Sequence, residues 1–205
     1  MAFIEAVILE VPDPAATESF CSALGVDTQV RARASDAATS GFRGFTLSLV
    51  VGQPSTVDSL LGSALDCGAT TLKPAAKSLW GYGGVVQAPD DTIWKVATSA
   101  KKDTAPPTRK FDELVLLLGV ADVKASKQFY TDRGLAVAKS FGSEYVQFDT
   151  ETSPVKLALY GRRALAKDAG VTPDGSGSHR IVIAGAAGPF TDPDGFSWES
   201  RQTES

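Results

Sequence analysis

The chain contains one histidine, His179, and two cysteines, Cys21 and Cys67. Any Ser–His or Cys–His relay must therefore pass through His179, and no Gly-x-Ser-x-Gly elbow supplies a serine for it. Cys21 falls on the core side of an expected helix, a poor position for a nucleophile. The two cysteines lack metal-ligand spacing and read as buried thiols of a reducing compartment. Gly81, Gly83 and Gly84 do not precede a helix and lack the Lys-Ser/Thr ending of a phosphate loop. What remains is a set of polar and aromatic residues on or beside alternating segments: Gln29, Arg31, Arg33, Tyr82, Lys95, Tyr145, Gln147, Lys156 and Tyr160. On such a strand each faces either a cleft or bulk water. Trp80 sits with Tyr82 in the Gly-rich turn "SLWGYGG", where a ring has less core to pack against.

The elements that must position these residues follow from local patterning. "FIEAVILEV" reads as a strand, after which Asp13 caps a helix with Pro14 at its first position. Ala16, Phe20 and Leu24 share one face of that helix, and Gly25 ends it. "TQVRAR" alternates, "FTLSLVV" forms the next strand, and a helix runs from about Val57 to Gly68 with Val57, Leu60, Leu61, Ala64 and Leu65 at helical spacing. Strands near Thr70–Lys73, Gly83–Gln87 and Thr92–Thr98 complete the first part. The second runs through strand "ELVLLLGV", helix Asp122–Arg133, and strands "LAVAKSF", "EYVQFDT" and "VKLALYG". A short helical stretch follows at Arg162–Asp168, then a flexible Asp174–Ser178, strand "HRIVI" and a final strand "FSWESR".

Two stretches repeat. Val11, Asp13, Ala16, Phe20 and Gly25 return 109 positions later as Val120, Asp122, Ala125, Phe129 and Gly134. Pro89, Asp90 and Trp94 return 104 positions later as Pro193, Asp194 and Trp198. The repeat predicts two similar units, 1–99 and 111–205. Between them lies a linker, 100–110, marked by charge and by Pro106-Pro107. The units differ in what they omit. Only the first has the long helix Val57–Cys67, and the strand pair Tyr145–Tyr160 of the second is shortened or missing after Arg33. Composition is that of an ordinary globular chain, 43% hydrophobic and 21% charged, with a net charge of −4. Without a block of like charge, a nucleic-acid binder is not expected. Nor is a membrane protein: no apolar run is long enough to span, and the N-terminus lacks a basic leader. The expectation is a cytoplasmic protein.

Strand, Asp-capped helix, mid-helix Phe, closing Gly and a later Pro-Asp turn before a Trp strand together resemble the glyoxalase/bleomycin-resistance/extradiol-dioxygenase proteins, the vicinal-oxygen-chelate superfamily. "DPDGFSWES" (192–200) and "GATTLKPAAKSLWGYGGVVQAPDDTIWKVA" (68–97) carry the resemblance most specifically. It implies an α+β fold of tandem βαβββ modules, with curved mixed sheets enclosing a cleft and helices on the outside. Family activities include glutathione-linked isomerisation, ring-cleaving dioxygenation, fosfomycin inactivation and metal-free sequestration of antibiotics. Trp94, Val96 and Trp198 would face a helix, leaving Lys95 and Glu199 to the cleft. The tryptophans are thus expected in the core.

The resemblance also implies where a divalent metal would be held, by His, Glu or Gln from facing strands. In the first unit those positions fall at Ala6, near Leu49 and at Lys95, so this half is expected to be metal-free. In the second they fall near Val115, with Glu113 on the same strand face, at His179 and at Glu199. The expected function is metal-free binding of a small molecule, an antibiotic or metabolite, with no cofactor and no catalytic residue. Ligand contacts are expected from Trp80, Tyr82, Lys95, Tyr160 and Glu199, an anionic group lying near Lys95. The alternative is a metal-dependent lyase, isomerase or dioxygenase with one site at His179, Glu199 and Glu113. Either form would be a monomer or homodimer whose partner is a small molecule, not nucleic acid or a membrane.

Overall fold

The computed structural model describes residues 3–150 and 152–200. The first half of the chain runs β1 (Ile4–Val11), α1 (Pro14–Leu24), β2 (Val30–Ala34), β3 (Thr39–Gly41), β4 (Phe45–Val50), α2 (Pro54–Asp66), β5 (Thr70–Ser78), β6 (Gly81–Gln87) and β7 (Ile93–Thr98). The second half runs β8 (Glu113–Val120), α3 (Val123–Thr131), β9 (Val137–Phe141), β10 (Tyr145–Phe148), β11 (Lys156–Gly161), α4 (Arg162–Ala169), β12 (Gly175–Gly177), β13 (Ile181–Gly185), β14 (Phe190–Thr191) and β15 (Ser197–Glu199). Arg201, the last residue of the expected final strand, lies outside the described residues.

Local chemistry sets the helix ends. Asp13 accepts the Ala16 N–H at 3.1 Å, and Gly25 closes α1 at a φ of 72°. Asp122 accepts from the N–H groups of Lys124 and Ala125 to start α3, which ends at Thr131, with residues 132–134 continuing as a turn. α2 starts at Pro54, ahead of the expected Val57, because proline is again pre-set for the first turn. Gln53 before it holds the linker instead of capping the helix. Its Oε1 accepts from the N–H groups of Thr104 and Ala105, each at 3.0 Å, and its Nε2 donates to the Ala105 carbonyl at 2.7 Å.

Three other expectations shift. The β5–β6 hairpin reaches Ser78 and Gly81, so Leu79 and Trp80 occupy its tip. Asp174–Ser178 is not free coil: β12 pairs antiparallel with β3, and at Gly175 a Cβ would collide with the Phe42 carbonyl. Cys67 is exposed at the end of α2, where the chain has left the packed face, whereas Cys21 is buried.

Eight strands form one sheet in the order β5-β6-β7-β4-β8-β11-β10-β9, and five form another in the order β14-β15-β13-β1-β2. The larger sheet joins two complete βαβββ modules, β4-α2-β5-β6-β7 and β8-α3-β9-β10-β11, through antiparallel β4 and β8. The smaller joins the shortened modules β1-α1-β2 and β13-β14-β15 through antiparallel β1 and β13. Both sheets therefore draw strands from both sides of the linker, and the complementary omissions of the sequence meet in one small sheet.

Alternation gives each sheet a packed face. Leu9, Leu47, Leu49, Leu114, Leu116 and Ile183 join Phe20, Val57, Leu60 and Tyr130 of the helices in one core cluster. Trp94 and Trp198 belong to it, 1% and 2% exposed. On the opposite face of the large sheet lies α4. Its Leu165, Ala166 and Ala169 pack with Phe42, Val85 and Ile93 in a second cluster. Gly119 makes room for it: a Cβ there would stand 3.2 Å from both Arg162 Cα and Leu165 Cδ2.

Candidate functional site

Beside α4, on the β5–β6–β7 side, the large sheet keeps a hollow of about 440 Å³. Gly81, Gly83, Ala76 and Ala97 line it, positions with almost no side-chain volume. Gly83 is demanded by the sheet itself, because a Cβ there would lie 2.8 Å from the Val96 carbonyl oxygen. The rim carries Lys73, Lys95 and Asp168, two cations against one anion, while Lys77, level with Tyr82, shares the other face of the sheet. Lys95 Nζ pairs with Asp168 Oδ2 at 2.7 Å. Lys73 Nζ donates to the carbonyls of Lys167 and Asp168, both at 2.9 Å, where the last turn of α4 has carbonyls without helical partners. Trp80 stands at the mouth, 87% exposed.

Of the five expected ligand contacts, Trp80, Tyr82 and Lys95 meet at this hollow. Tyr82 brings its main chain: its ring packs against the core and its hydroxyl donates to Asp58 Oδ1 of α2 at 2.8 Å. That bond also raises the Tyr82 pKa above its ordinary value. Tyr160 lies on the other half of the sheet, edge-on to Tyr145 at 5.9 Å between ring centres. Burial, then the nearby Glu113 and Tyr160, hold the Tyr145 phenol above its usual range. Glu199 belongs to the other sheet altogether. Lys73 and Asp168 were not singled out by pattern, since neither interrupts the element it sits on.

Strand register aligns side chains into rows. Across the large sheet, Lys95, Ser48, Val115 and Lys156 stand side by side on β7, β4, β8 and β11. Leu49, the expected position on β4, points into the core and is 0% exposed. Across the small sheet, Glu199, Ala184 and Ala6 form the matching row. Arg33, on β2, reaches over this row. Its NH1 meets Glu199 Oε1 at 2.9 Å and its NH2 meets Glu10 Oε1 at 2.7 Å. The hydrogen bond that Arg33 donates to Glu10, and then the one to Glu199, raise Arg33 above its ordinary value against an opposing effect of burial. Beside it Arg31 pairs with Glu5 at 3.3 Å.

His179 precedes β13 and joins none of these rows. Its Nδ1 lies 2.6 Å from the Arg43 carbonyl, its Nε2 2.9 Å from the Asp194 carbonyl, and its ring stacks on Phe196 at 4.0 Å. Both ring nitrogens thus face backbone carbonyls, one in the β3–β4 connection and one in the turn before β15. Glu113 opens β8 in the large sheet, beside a polar recess lined by Asp112, Lys156 and Gln29. His179, Glu199 and Glu113 are not brought together, and no group of three or more His, Cys, Asp or Glu able to hold a metal occurs among the described residues.

No family model and no curated protein matches the chain. Solved structures do. Glyoxalase I from Zea mays superposes with a TM-score of 0.61 over 97% of this chain and 91% of its own, at 14% identity. A provisionally assigned dioxygenase from Bacillus subtilis subsp. subtilis str. 168 reaches 0.54 over 89% of this chain and 69% of its own, at 11% identity. The fold is that of the vicinal-oxygen-chelate proteins. At such identities the likeness reaches the backbone and stops short of any site.

A divalent metal in a vicinal-oxygen-chelate fold needs lone-pair donors converging from facing strands. The large-sheet row offers two ammonium groups, a hydroxyl and a valine, and ammonium has no lone pair to give. The small-sheet row offers one carboxylate, already engaged by Arg33. Neither set of residues fits a metal.

Proposed function

We propose that the protein binds a small anionic aromatic molecule in the hollow beside α4, without a metal. The observation that carries this reading is the hollow itself, which sets an exposed tryptophan beside Lys73 and Lys95 over a floor of glycine and alanine. An aromatic ring suits the face of Trp80. A carboxylate or phosphate suits Lys95, competing with Asp168 for its ammonium group. The free cysteines are in keeping with a cytoplasmic setting, and among the described residues no helix is long and apolar enough to cross a membrane.

The test is a thermal-shift screen of aryl carboxylates and aryl phosphates, followed by titration monitored through tryptophan fluorescence. A true ligand raises the midpoint by a few degrees when present at about 100 times its dissociation constant. Ala97→Leu, which fills the hollow from its floor, should abolish the shift while leaving the fold intact. Lys95→Met should weaken binding by about tenfold, the loss of one charge-assisted contact. Stoichiometric Mn, Fe, Ni or Zn in protein purified without chelator, with no response to any aryl anion, would sink this reading in favour of a metal-dependent lyase, isomerase or dioxygenase.

A further inference from the structure

We infer that Arg33 is a tethered cation standing in the small sheet where a divalent metal would sit, and that it clasps β2 to β15 across the cleft face. Three observations support this. First, Glu199 lies level with Ala184 and Ala6, so the row has one carboxylate and two methyl groups, too few donors for an ion. Second, that carboxylate is approached by Arg33 NH1 at 2.9 Å and 3.3 Å, from its two oxygens, while Arg33 NH2 takes Glu10. A guanidinium presents a planar fork of donors, which lets one cation serve two carboxylates. Third, Arg33 and Glu199 are on strands separated by both β1 and β13 in the sheet order. A side-chain bond between them exists only because the sheet curls, and it closes over the apolar floor of Ile8, Val182 and Ala184.

The consequence is that β2, from before the linker, and β15, from after it, are joined at this point by an internal ion pair. Glu199 has a carboxylate because Arg33 needs one. This role belongs to the small sheet and does not depend on what the hollow near Trp80 binds.

The experiment is calorimetric titration of the chelator-stripped full chain with MnCl2, in wild type, Arg33→Gln, Arg33→Lys and the double variant Arg33→Gln/Glu199→Gln. Wild type and Arg33→Lys should give no heat of binding at millimolar Mn2+. Arg33→Gln, with two carboxylates released from their cation, should bind Mn2+ at least about tenfold more tightly than wild type, and the double variant should lose that gain. If Arg33→Gln does not fold alone, MnCl2 should restore its far-UV circular dichroism, the free ion replacing the tethered one. A wild-type Mn2+ site that disappears in Glu199→Gln overturns the inference. So does an Arg33→Gln chain that neither gains Mn2+ binding nor is rescued by it.

Discussion

Tyr130 shows how a single buried side chain joins a helix to a distant turn. Its hydroxyl donates to Asp192 Oδ2 at 2.7 Å and accepts from Trp198 Nε1 at 3.2 Å, deep in the core. Tyr130→Phe removes one donor from a buried carboxylate and leaves the indole N–H without an acceptor. The expected loss is about 1–3 kcal/mol, read from urea unfolding. Asp192 is also the group to watch with pH. Burial raises it above the ordinary carboxylate range, partly opposed by the bonds from Tyr130 and the Phe196 N–H. A raised acid keeps its proton longer in the folded chain than in the unfolded one. Its contribution to stability is therefore complete below about pH 4, declines as pH climbs to the raised value, and is constant beyond. Asp192→Asn should remove that decline; an unchanged pH profile of unfolding free energy would assign the effect to another group.

At the scale of elements, α4 decides how much of the cleft face is left. Leu165 is 0% exposed beneath it, and Lys73 and Lys95 hold its last turn from β5 and β7. Leu165→Ala should cost about 2–5 kcal/mol. Hydrogen exchange at residues 162–169 should quicken while β4 and β8 stay protected, because the core cluster lies on the other face of their sheet. Equal exchange gains across all three would mean that α4 is part of one cooperative unit. The helix itself was legible in the sequence, as were the Asp13 and Asp122 caps and the Gly25 end of α1, because each obeys a rule spanning a few residues. Its docking was not, for it depends on an absent side chain at Gly119 and on lysines far away in sequence. The repeated aspartates were legible as a motif but not in their task. Asp90 accepts the Thr17 hydroxyl at 3.0 Å and Asp194 the Ser126 hydroxyl at 2.8 Å, so each braces a turn against the helix of its own repeat.

The whole molecule is assembled across its linker. The repeat made two units visible, and the unequal omissions hinted that each lacked something. Which strands would pair was hidden, because register depends on contacts such as Phe45 with Leu118 and Leu9 with Ile181 that no local pattern records. The topology makes a sharp prediction. Lys101, Lys102, Arg109 and Lys110 are all exposed, so brief trypsin treatment should cut the linker first. The halves should then remain together, since β4 pairs with β8 and β1 with β13 along most of their lengths. Each half alone would bare the apolar faces of two sheet edges and part of a common core. The nicked protein should elute from gel filtration with the intact 21.4 kDa chain and separate only in denaturant. Two fragments parting in native buffer would mean that each repeat closes its own sheet, an arrangement incompatible with β4 and β8 lying side by side.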